Sequence, residues 1–289
     1  MSLNDKNLDR LISEALAIEA EEAKEAGALG FMARVLVQAT MPHRQVDGNE
    51  FTRTNGAFTL SLMAPIKVGL PYGTIPRLLL AWLTTEAVKT GERELVLGDS
   101  MSAFMRELGL VPTGGRWGSI ARLKNQTSRL FSSSIHCIHK TKEQFSGMNL
   151  KVTSGHNLWW EPKDPNQSAL WQSTVTLDQD FFEEIIDRPV PVDMRALKAI
   201  KQSPLALDIY TWLTYRMSYL SHQTEIQWEA LQMQFGSNYA NNPQGLRDFK
   251  REFIKHLKKI HVVYPAADVS EGSYGLMLKP SKPHVKRLK

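Results

Sequence analysis

The chain has 289 residues, of which 42% are apolar and 22% charged, so it can form one large domain or two ordinary ones and is not a disordered chain. Its formal net charge of +5 is too common among proteins of all kinds to indicate a partner by itself. Its single cysteine, Cys137, excludes an internal disulfide, and no apolar run reaches the ~18 residues of a membrane span, so we expect a cytoplasmic protein without membrane contact.

Residues 1–29 are predicted to form an N-terminal helix. Apolar residues recur there at helical spacing from about Asn4 to Ala26, and the segment contains seven acidic and three basic residues. The apolar stripe is too short and too rich in alanine for a coiled coil. The helix therefore either packs on its own domain or forms the interface of a homodimer.

Residues 30–187 are predicted to form a first domain. It opens with strands at Phe31–Gln38 and Ala57–Leu62 and a loop over Ala64–Thr74. Its central elements are a helix (Ile75–Thr90), a strand (Glu94–Leu97), a short helix (Ser100–Leu108) and a long helix (Arg116–Ser133). A hairpin formed by Ser134–Lys140 and Asn149–Ser154 follows them. The domain is predicted to end with strands at Asn157–Trp160 and Ser173–Leu177 and a helix from Asp178 to Ile186.

Residues 188–289 are predicted to form a second domain with a basic tail. The prolines of Asp187–Val192 favour an extended backbone, and we place the domain boundary there. The same order of elements then recurs, at Pro204–Leu220, Thr224–Gln227, Trp228–Phe235, Pro243–Lys259 and a first hairpin strand at His261–Tyr264.

The two copies lie about 130 positions apart, as Trp82 and Trp212 illustrate. Helix, strand, helix, helix and hairpin is the element order of a winged helix-turn-helix, whose recognition helix enters the major groove of DNA. The predicted fold class is therefore α+β, with two tandem winged helix-turn-helix domains behind an N-terminal amphipathic helix.

Positive charge gathers on the last helix of each copy and on the chain end. Arg116–Glu143 contains six basic residues and one acidic residue, and Pro243–Lys289 contains eleven and four. Each of these helices also has an apolar stripe, through Leu123 in the first copy and Phe249 in the second, so a polar face remains for DNA.

The polar faces supply the candidate DNA-binding residues. Those expected to read base edges are Arg122, Asn125, Gln126, Arg129, Gln244, Arg247 and Arg251. Those expected mainly to meet phosphates are Arg116, Lys124, Lys250, Lys258 and Lys259. Lys140 and Lys255 complete the predicted DNA-binding set.

No strong catalytic motif is present in the sequence. It contains no G-x-x-x-x-G-K-[ST] loop, and the His136–His139 stretch lacks a second pair of zinc ligands. Tyr215 and Tyr219 lie four apart, as in enzymes that nick DNA through a phosphotyrosine, but no H-x-H metal motif accompanies them. We therefore expect no enzymatic activity, no cofactor and no bound metal.

Four segments of the sequence resemble the RepA-type plasmid replication initiators: Tyr72–Thr85, Thr113–Gly118, Leu123–Phe131 and Leu158–Trp160. The resemblance extends from about Phe31 to Tyr264 and is most specific in the first winged-helix region. It implies binding to repeated sequences (iterons) of a plasmid origin, opening of nearby AT-rich DNA, and recruitment of host replication proteins such as a helicase or initiator. Related initiator groups have two winged-helix domains and repress their own genes as dimers.

The interpretation favoured by the sequence is a sequence-specific double-stranded DNA-binding replication initiator. A winged-helix transcriptional regulator or repressor would have the same architecture, but it would not melt DNA. An origin-nicking endonuclease, and a double winged helix that binds only protein, are less favoured by the residues.

Overall fold

The computed structural model describes residues 3–158 and 173–286. The helices of this part are α1 (Leu3–Ala20), α2 (Arg34–Gln38), α3 (Thr74–Thr90), α4 (Met101–Glu107), α5 (Ser119–Phe131), α6 (Gln179–Asp187), α7 (Met194–Ile200), α8 (Pro204–Met217), α9 (Trp228–Phe235) and α10 (Pro243–Val263). The strands are β1 (Leu29–Met32), β2 (Glu50–Asn55), β3 (Phe58–Met63), β4 (Glu94–Val96), β5 (Ser134–Lys140), β6 (Phe145–Lys151), β7 (Thr153–Asn157), β8 (Thr174–Leu177), β9 (Val190–Asp193), β10 (Thr224–Gln227), β11 (Val269–Glu271) and β12 (Gly275–Leu278).

Mixed helices and small antiparallel sheets form two hydrophobic cores, one in each half of the chain. The first core surrounds α3, with Leu79 and Phe104 fully buried, and the second surrounds α8 and α10, with Phe249 and Phe253 fully buried. Both α3 and α8 are apolar on most of their surface because neighbours cover them on several sides.

The two halves share one sheet order. Strand β4 pairs with β8, which pairs with β7, and strand β10 pairs with β12, which pairs with β11. In each half the strand that precedes the short helix therefore pairs with the later strand of a hairpin.

The predicted first hairpin forms, but it belongs to a different sheet from β4. Ser134–Lys140 is a strand that forms a hairpin with β6, as expected, but β5 joins β3 and builds a four-stranded sheet of order β2-β3-β5-β6. The strands that pair with β4 are instead β8 and, through it, β7. Sequence periodicity identifies strands but not their partners, because partners are set by long-range packing. The predicted strand Asn157–Trp160 extends beyond the described residues after Leu158.

Two other predicted strands are largely helical. Phe31–Gln38 splits into the end of β1 and helix α2, where Val35, Leu36 and Val37 are all buried. Burial on every side removes the alternation that separates a strand from a helix. His261–Tyr264 continues α10 as far as Val263, because Leu257, Ile260 and Val263 extend the buried stripe.

The N-terminal helix ends at Ala20, earlier than predicted, and packs against α7 and α10. Arg195 donates hydrogen bonds to the carbonyl oxygens of Ala17 and Glu21, which supplies partners for the end of the helix. Ile12 and Leu16 remain exposed on the outer side of this helix.

The predicted boundary between residues 187 and 188 is bridged by direct contacts. Strand β9, which follows it, pairs with β1, and the second core contains Met32, Leu78 and Ala81 from the first half. Gln234 donates to the carbonyl of Gln38, and Arg53 donates to the carbonyl of Met233. The two halves are therefore held in one arrangement.

A buried ionic cluster joins α3 and α8 at this junction. The guanidinium of Arg77 contacts both carboxylate oxygens of Asp208, at 2.6 and 2.7 Å, and donates further to the carbonyls of Met41, Pro42 and Gly73. His43 Nε2 lies 2.7 Å from Asp208 Oδ2. Burial lowers the pKa of His43, so its neutral ring donates the Nε2 hydrogen to the carboxylate.

The pKa of Asp208 is lowered although the residue is buried. Burial alone would raise it, but the charge of Arg77 and hydrogen bonds from His43 and Arg77 outweigh burial. Asp208 is therefore an anion inside the junction, and its partners come from the other half of the chain.

Among the described residues, no helix has both the length and the apolar character needed to cross a bilayer.

Candidate nucleic-acid interface

Helix α5 buries one face and exposes the other. Ile120, Leu123 and Leu130 point into the first core. Arg122 and Asn125 are exposed on the opposite side, and Lys124 is half-buried. This arrangement gives the first half a polar helical face that a DNA groove could meet.

The helix begins at Ser119, so Arg116 lies in the preceding loop and not on the helix as predicted. Thr113 and Ser119 close this loop: each backbone amide donates to the other's side-chain oxygen, at 2.9 and 2.8 Å. A Cβ at Gly118 would lie 2.2 Å from the Thr113 carbonyl oxygen, so only glycine fits there. The loop holds Arg116 and Trp117 out in solvent, with Trp117 82% exposed.

Two of the predicted base-reading residues have partners inside the protein. Gln126 is buried, and its Oε1 accepts a hydrogen bond from the Tyr72 amide at 2.9 Å. Arg129 donates to the Leu70 carbonyl at 3.1 Å and to Asn125 Oδ1 at 2.9 Å, and it lies over the Tyr72 ring. Gly69 has φ +79°, and a Cβ there would lie 2.6 Å from Arg129 Nη1. The side chains of Gln126 and Arg129 therefore fix the 69–72 segment against α5.

Lys140 lies apart from α5, at the exposed end of β5. The turn that follows is closed by the Thr141 amide, which donates to the Gln144 carbonyl at 2.8 Å. Lys142 and Phe145 are exposed in the same hairpin.

Helix α10 also separates a buried face from a charged one. Asn242 caps its start by accepting a hydrogen bond from the Gly245 amide at 2.7 Å, and Pro243 occupies the first turn. Phe249, Phe253 and Leu257 are buried. The exposed predicted residues of this helix are Gln244, Arg247, Arg251, Lys255, Lys258 and Lys259.

Many of the polar side chains on α10 interact with each other. Arg247 donates to Gln244, Arg251 lies 2.8 Å from Asp248, and Lys255 lies 3.2 Å from Glu252. Surface pairs of this kind contribute only about 0–1 kcal/mol, so phosphates can replace them as partners. Within the described part of the chain, Lys258 and Lys259 have no ion pair.

Lys250 contacts other elements of the second half of the chain. Its ammonium pairs with Glu271 on β11 and lies 5.3 Å from the centre of the Trp228 ring. It therefore links α10 to α9 and the sheet, and phosphate contact would require it to leave Glu271.

An exposed aromatic side chain also marks the second hairpin. The amides of Tyr274 and Gly275 both donate to Glu225 Oε1, at 2.7 and 2.8 Å, which fixes the turn between β11 and β12. Tyr274 projects from that turn and is 78% exposed. Sequence periodicity did not single out this residue, since turn residues have no repeating pattern.

The side chains weighed for chemistry have structural partners. Tyr215 and Tyr219 contact each other edge to face, with centroids 5.1 Å apart, and Arg216 lies over the Tyr219 ring. His136 lies 2.6 Å from Asn149 Oδ1, and burial raises the pKa of the Cys137 thiol to about 12. In the part of the chain that the structure covers, no group of three or more His, Cys, Asp or Glu residues could hold a metal ion.

Comparison with solved structures finds the same fold in domains 2 and 3 of RctB. That crystal structure matches with a TM-score of 0.53 at 13% identity and covers 85% of this chain and 96% of its own. A selenomethionine derivative of the same two domains matches with a TM-score of 0.53 at 12% identity, over 87% of this chain and 99% of its own. No curated protein sequence matches this chain.

The family model of plasmid-encoded RepA proteins matches residues 70–232. That range begins just before α3, includes α5 and the junction, and ends within α9. It comprises more than half of the 289 residues. The chain therefore belongs to the plasmid-encoded RepA protein family.

Proposed function

We propose that this protein initiates plasmid replication by binding repeated sequences (iterons) in double-stranded origin DNA through two winged-helix units. In each unit the long last helix, α5 or α10, is the reading helix. The wing of the first unit is the β7–β8 hairpin, and that of the second unit is β11–β12. Membership of the RepA family supports the role in replication.

The observation that carries this proposal is the repeated arrangement around α5 and α10. Both helices follow a short helix, both halves have the same sheet order, and both helices turn exposed cations outward. A cationic polar helix face is suited to the major groove, where arginine pairs with guanine and asparagine with adenine.

The structure also refines the proposed set of base-reading residues. Arg122, Asn125, Arg247 and Arg251 are exposed and keep that role in the proposal. Gln126 leaves it, because its side chain is buried against the 69–72 segment. Arg116, Lys258 and Lys259 remain proposed phosphate contacts.

Selection of bound duplexes from a random pool tests the proposal. We expect enriched sequences with two conserved elements about 10 base pairs apart, the spacing of one helical turn. Lys89→Ala serves as a control, since Lys89 lies in the last turn of α3 and outside the proposed DNA-binding set. This variant should select the same sequences as the unmodified protein. Failure of the unmodified protein to enrich any duplex would refute sequence-specific binding.

Origin opening is a separate part of the proposal. In it, the bound protein promotes melting of adjacent AT-rich DNA and recruits host replication proteins such as a helicase or initiator, without chemistry of its own. Permanganate footprinting on plasmid DNA in which the selected sequences lie beside an AT-rich segment should reveal reactive thymines only when the protein is bound. Binding without any such reactivity would favour a transcriptional regulator.

We also propose that α1 carries a homodimer surface at Ile12 and Leu16, which are 44% and 63% exposed. Sedimentation of the unmodified protein and of Leu16→Glu tests this. A dimer that dissociates in Leu16→Glu supports the surface, and an unchanged mass refutes it.

A further inference from the structure

An open groove of about 660 Å³ runs along α5, between the residue 43–45 segment and the start of α3. Pro204 of the second half also contributes to its wall. The volume lies within the ~300–1,000 Å³ that is typical of ligand sites. The groove is therefore large enough for a ligand much bigger than an ion.

The groove is cationic and contains aromatic rings. Arg44, Arg116, Arg122 and Arg129 line it, and among the described residues no acidic side chain does. Arg44, Arg116 and Arg122 have no ion pair within the described part of the chain. Such a site favours a ligand with several negative charges.

Trp117 gives the groove a free aromatic surface. Its ring is 82% exposed, and the loop that holds it is fixed by the paired hydrogen bonds of Thr113 and Ser119. The guanidinium of Arg116 lies 5.1 Å from the ring centre and orients it further. An exposed ring beside arginines, on a loop whose ends are fixed, suits a flat base attached to phosphate.

We infer that this groove binds one unpaired nucleotide of a DNA strand, with its base stacked on Trp117 and its flanking phosphates held by Arg44, Arg116 and Arg122. The base must be unpaired because both faces of a base inside a duplex are covered by its neighbours, which leaves no face for the indole. The inference rests on the proposed function in that Arg116 and Arg122 also belong to the proposed duplex surface.

The test compares two single strands that differ only in their bases. One is a 12-residue oligothymidylate and the other is the same strand with abasic sites, which keeps every phosphate. We expect Trp117→Ala to weaken oligothymidylate binding by about 5- to 150-fold, the usual effect of losing one stacking aromatic, and to leave abasic binding unchanged. Trp117→Phe should retain most of the affinity.

Arg44→Ala is the matched variant for the phosphate contacts. It should weaken both strands by the same factor and reduce the slope of log affinity against log salt by about 0.7, the value for one phosphate contact on a single strand. The inference is wrong if Trp117→Ala weakens the binding of both strands equally or weakens the binding of neither strand. Free thymidine triphosphate that binds as tightly as the strand would assign the groove to a free nucleotide and overturn the inference.

These outcomes are separable from failure of the proposed function. Loss of duplex selection with Trp117-dependent strand binding intact would refute the duplex proposal alone. Duplex selection with no base-dependent strand binding would refute the groove alone.

Discussion

At the residue scale, the adjacent amides Asn125 and Gln126 show how far the sequence can assign a role. Both lie on α5 among basic residues, and both suit adenine recognition. The structure leaves Asn125 exposed and buries Gln126 against the Tyr72 amide, 54 positions earlier in the chain. That partner comes from a distant loop, so the spacing of residues on α5 could not reveal it.

Arg122 and Lys258 should affect DNA binding in different ways. Arg122→Ala should lower discrimination between selected and scrambled duplexes by about 1–3 kcal/mol, since a bidentate contact to guanine is lost. Lys258→Ala should weaken both duplexes equally, because a phosphate contact carries no sequence information. Filter binding at one salt concentration measures both effects. Equal losses on the two duplexes for Arg122→Ala would show that it does not read bases.

The ionic cluster at the junction predicts a strong stability effect. Arg77→Met should lower the free energy of unfolding by about 3–5 kcal/mol, because it leaves the buried Asp208 carboxylate without its cation. The double replacement Arg77→Met with Asp208→Leu should recover much of that loss, since no buried charge remains. Urea denaturation measures the three variants. A double variant as unstable as Arg77→Met would show that the loss is one of packing and not of charge.

At the element scale, the most regular segments were predicted best. Thr224–Gln227 and Trp228–Phe235 have the predicted bounds, and α10 differs only by running further, to Val263. The proposed wing of the first unit, β7–β8, could not be predicted, because the sequence of Ser134–Lys140 is equally consistent with a wing strand and with its observed place in the sheet of β2, β3, β5 and β6. Element types follow from local periodicity except where burial on every side removes it, as in α2, whereas strand partners follow from contacts across the chain.

The C-terminal segment should make stability depend on pH. His284 stacks on Tyr264 at 4.7 Å and lies 2.7 Å from the Tyr210 hydroxyl, while Lys282 and Lys286 pair with Glu22 near α1. Burial lowers the pKa of His284 to about 4. An unfolded histidine has a pKa of about 6.5, so the unfolded chain takes up the proton first as the pH falls.

The contribution of neutral His284 is therefore complete above about pH 6.5 and is lost as the pH falls towards 4. The free energy of unfolding should decrease between pH 6.5 and 5, and His284→Asn should reduce that decrease. The pKa values of His43 and His256 are also lowered, so these two residues should account for the decrease that remains in His284→Asn. A pH dependence identical in the two proteins would contradict this account of His284.

At the scale of the whole molecule, the two halves are fixed to each other at several points. Strands β1 and β9 pair across the predicted boundary, α3 and α8 are joined through Arg77 and Asp208, and β2 contacts α9. Charge and periodicity predicted two similar units but not this fixed junction. In the sequence, Arg77 is an isolated cation in an apolar helix, and its partner lies 131 positions away.

Under the proposed function, a fixed junction means that α5 and α10 would meet DNA as one preset pair. The most direct measurement is duplex selection repeated with Arg122→Ala and with Arg251→Ala, each compared with the unmodified protein. The account predicts that each variant loses sequence preference in a different element of the site, the two elements lying about 10 base pairs apart. Loss at the same positions in both variants, or at none in either, would contradict reading by two helices.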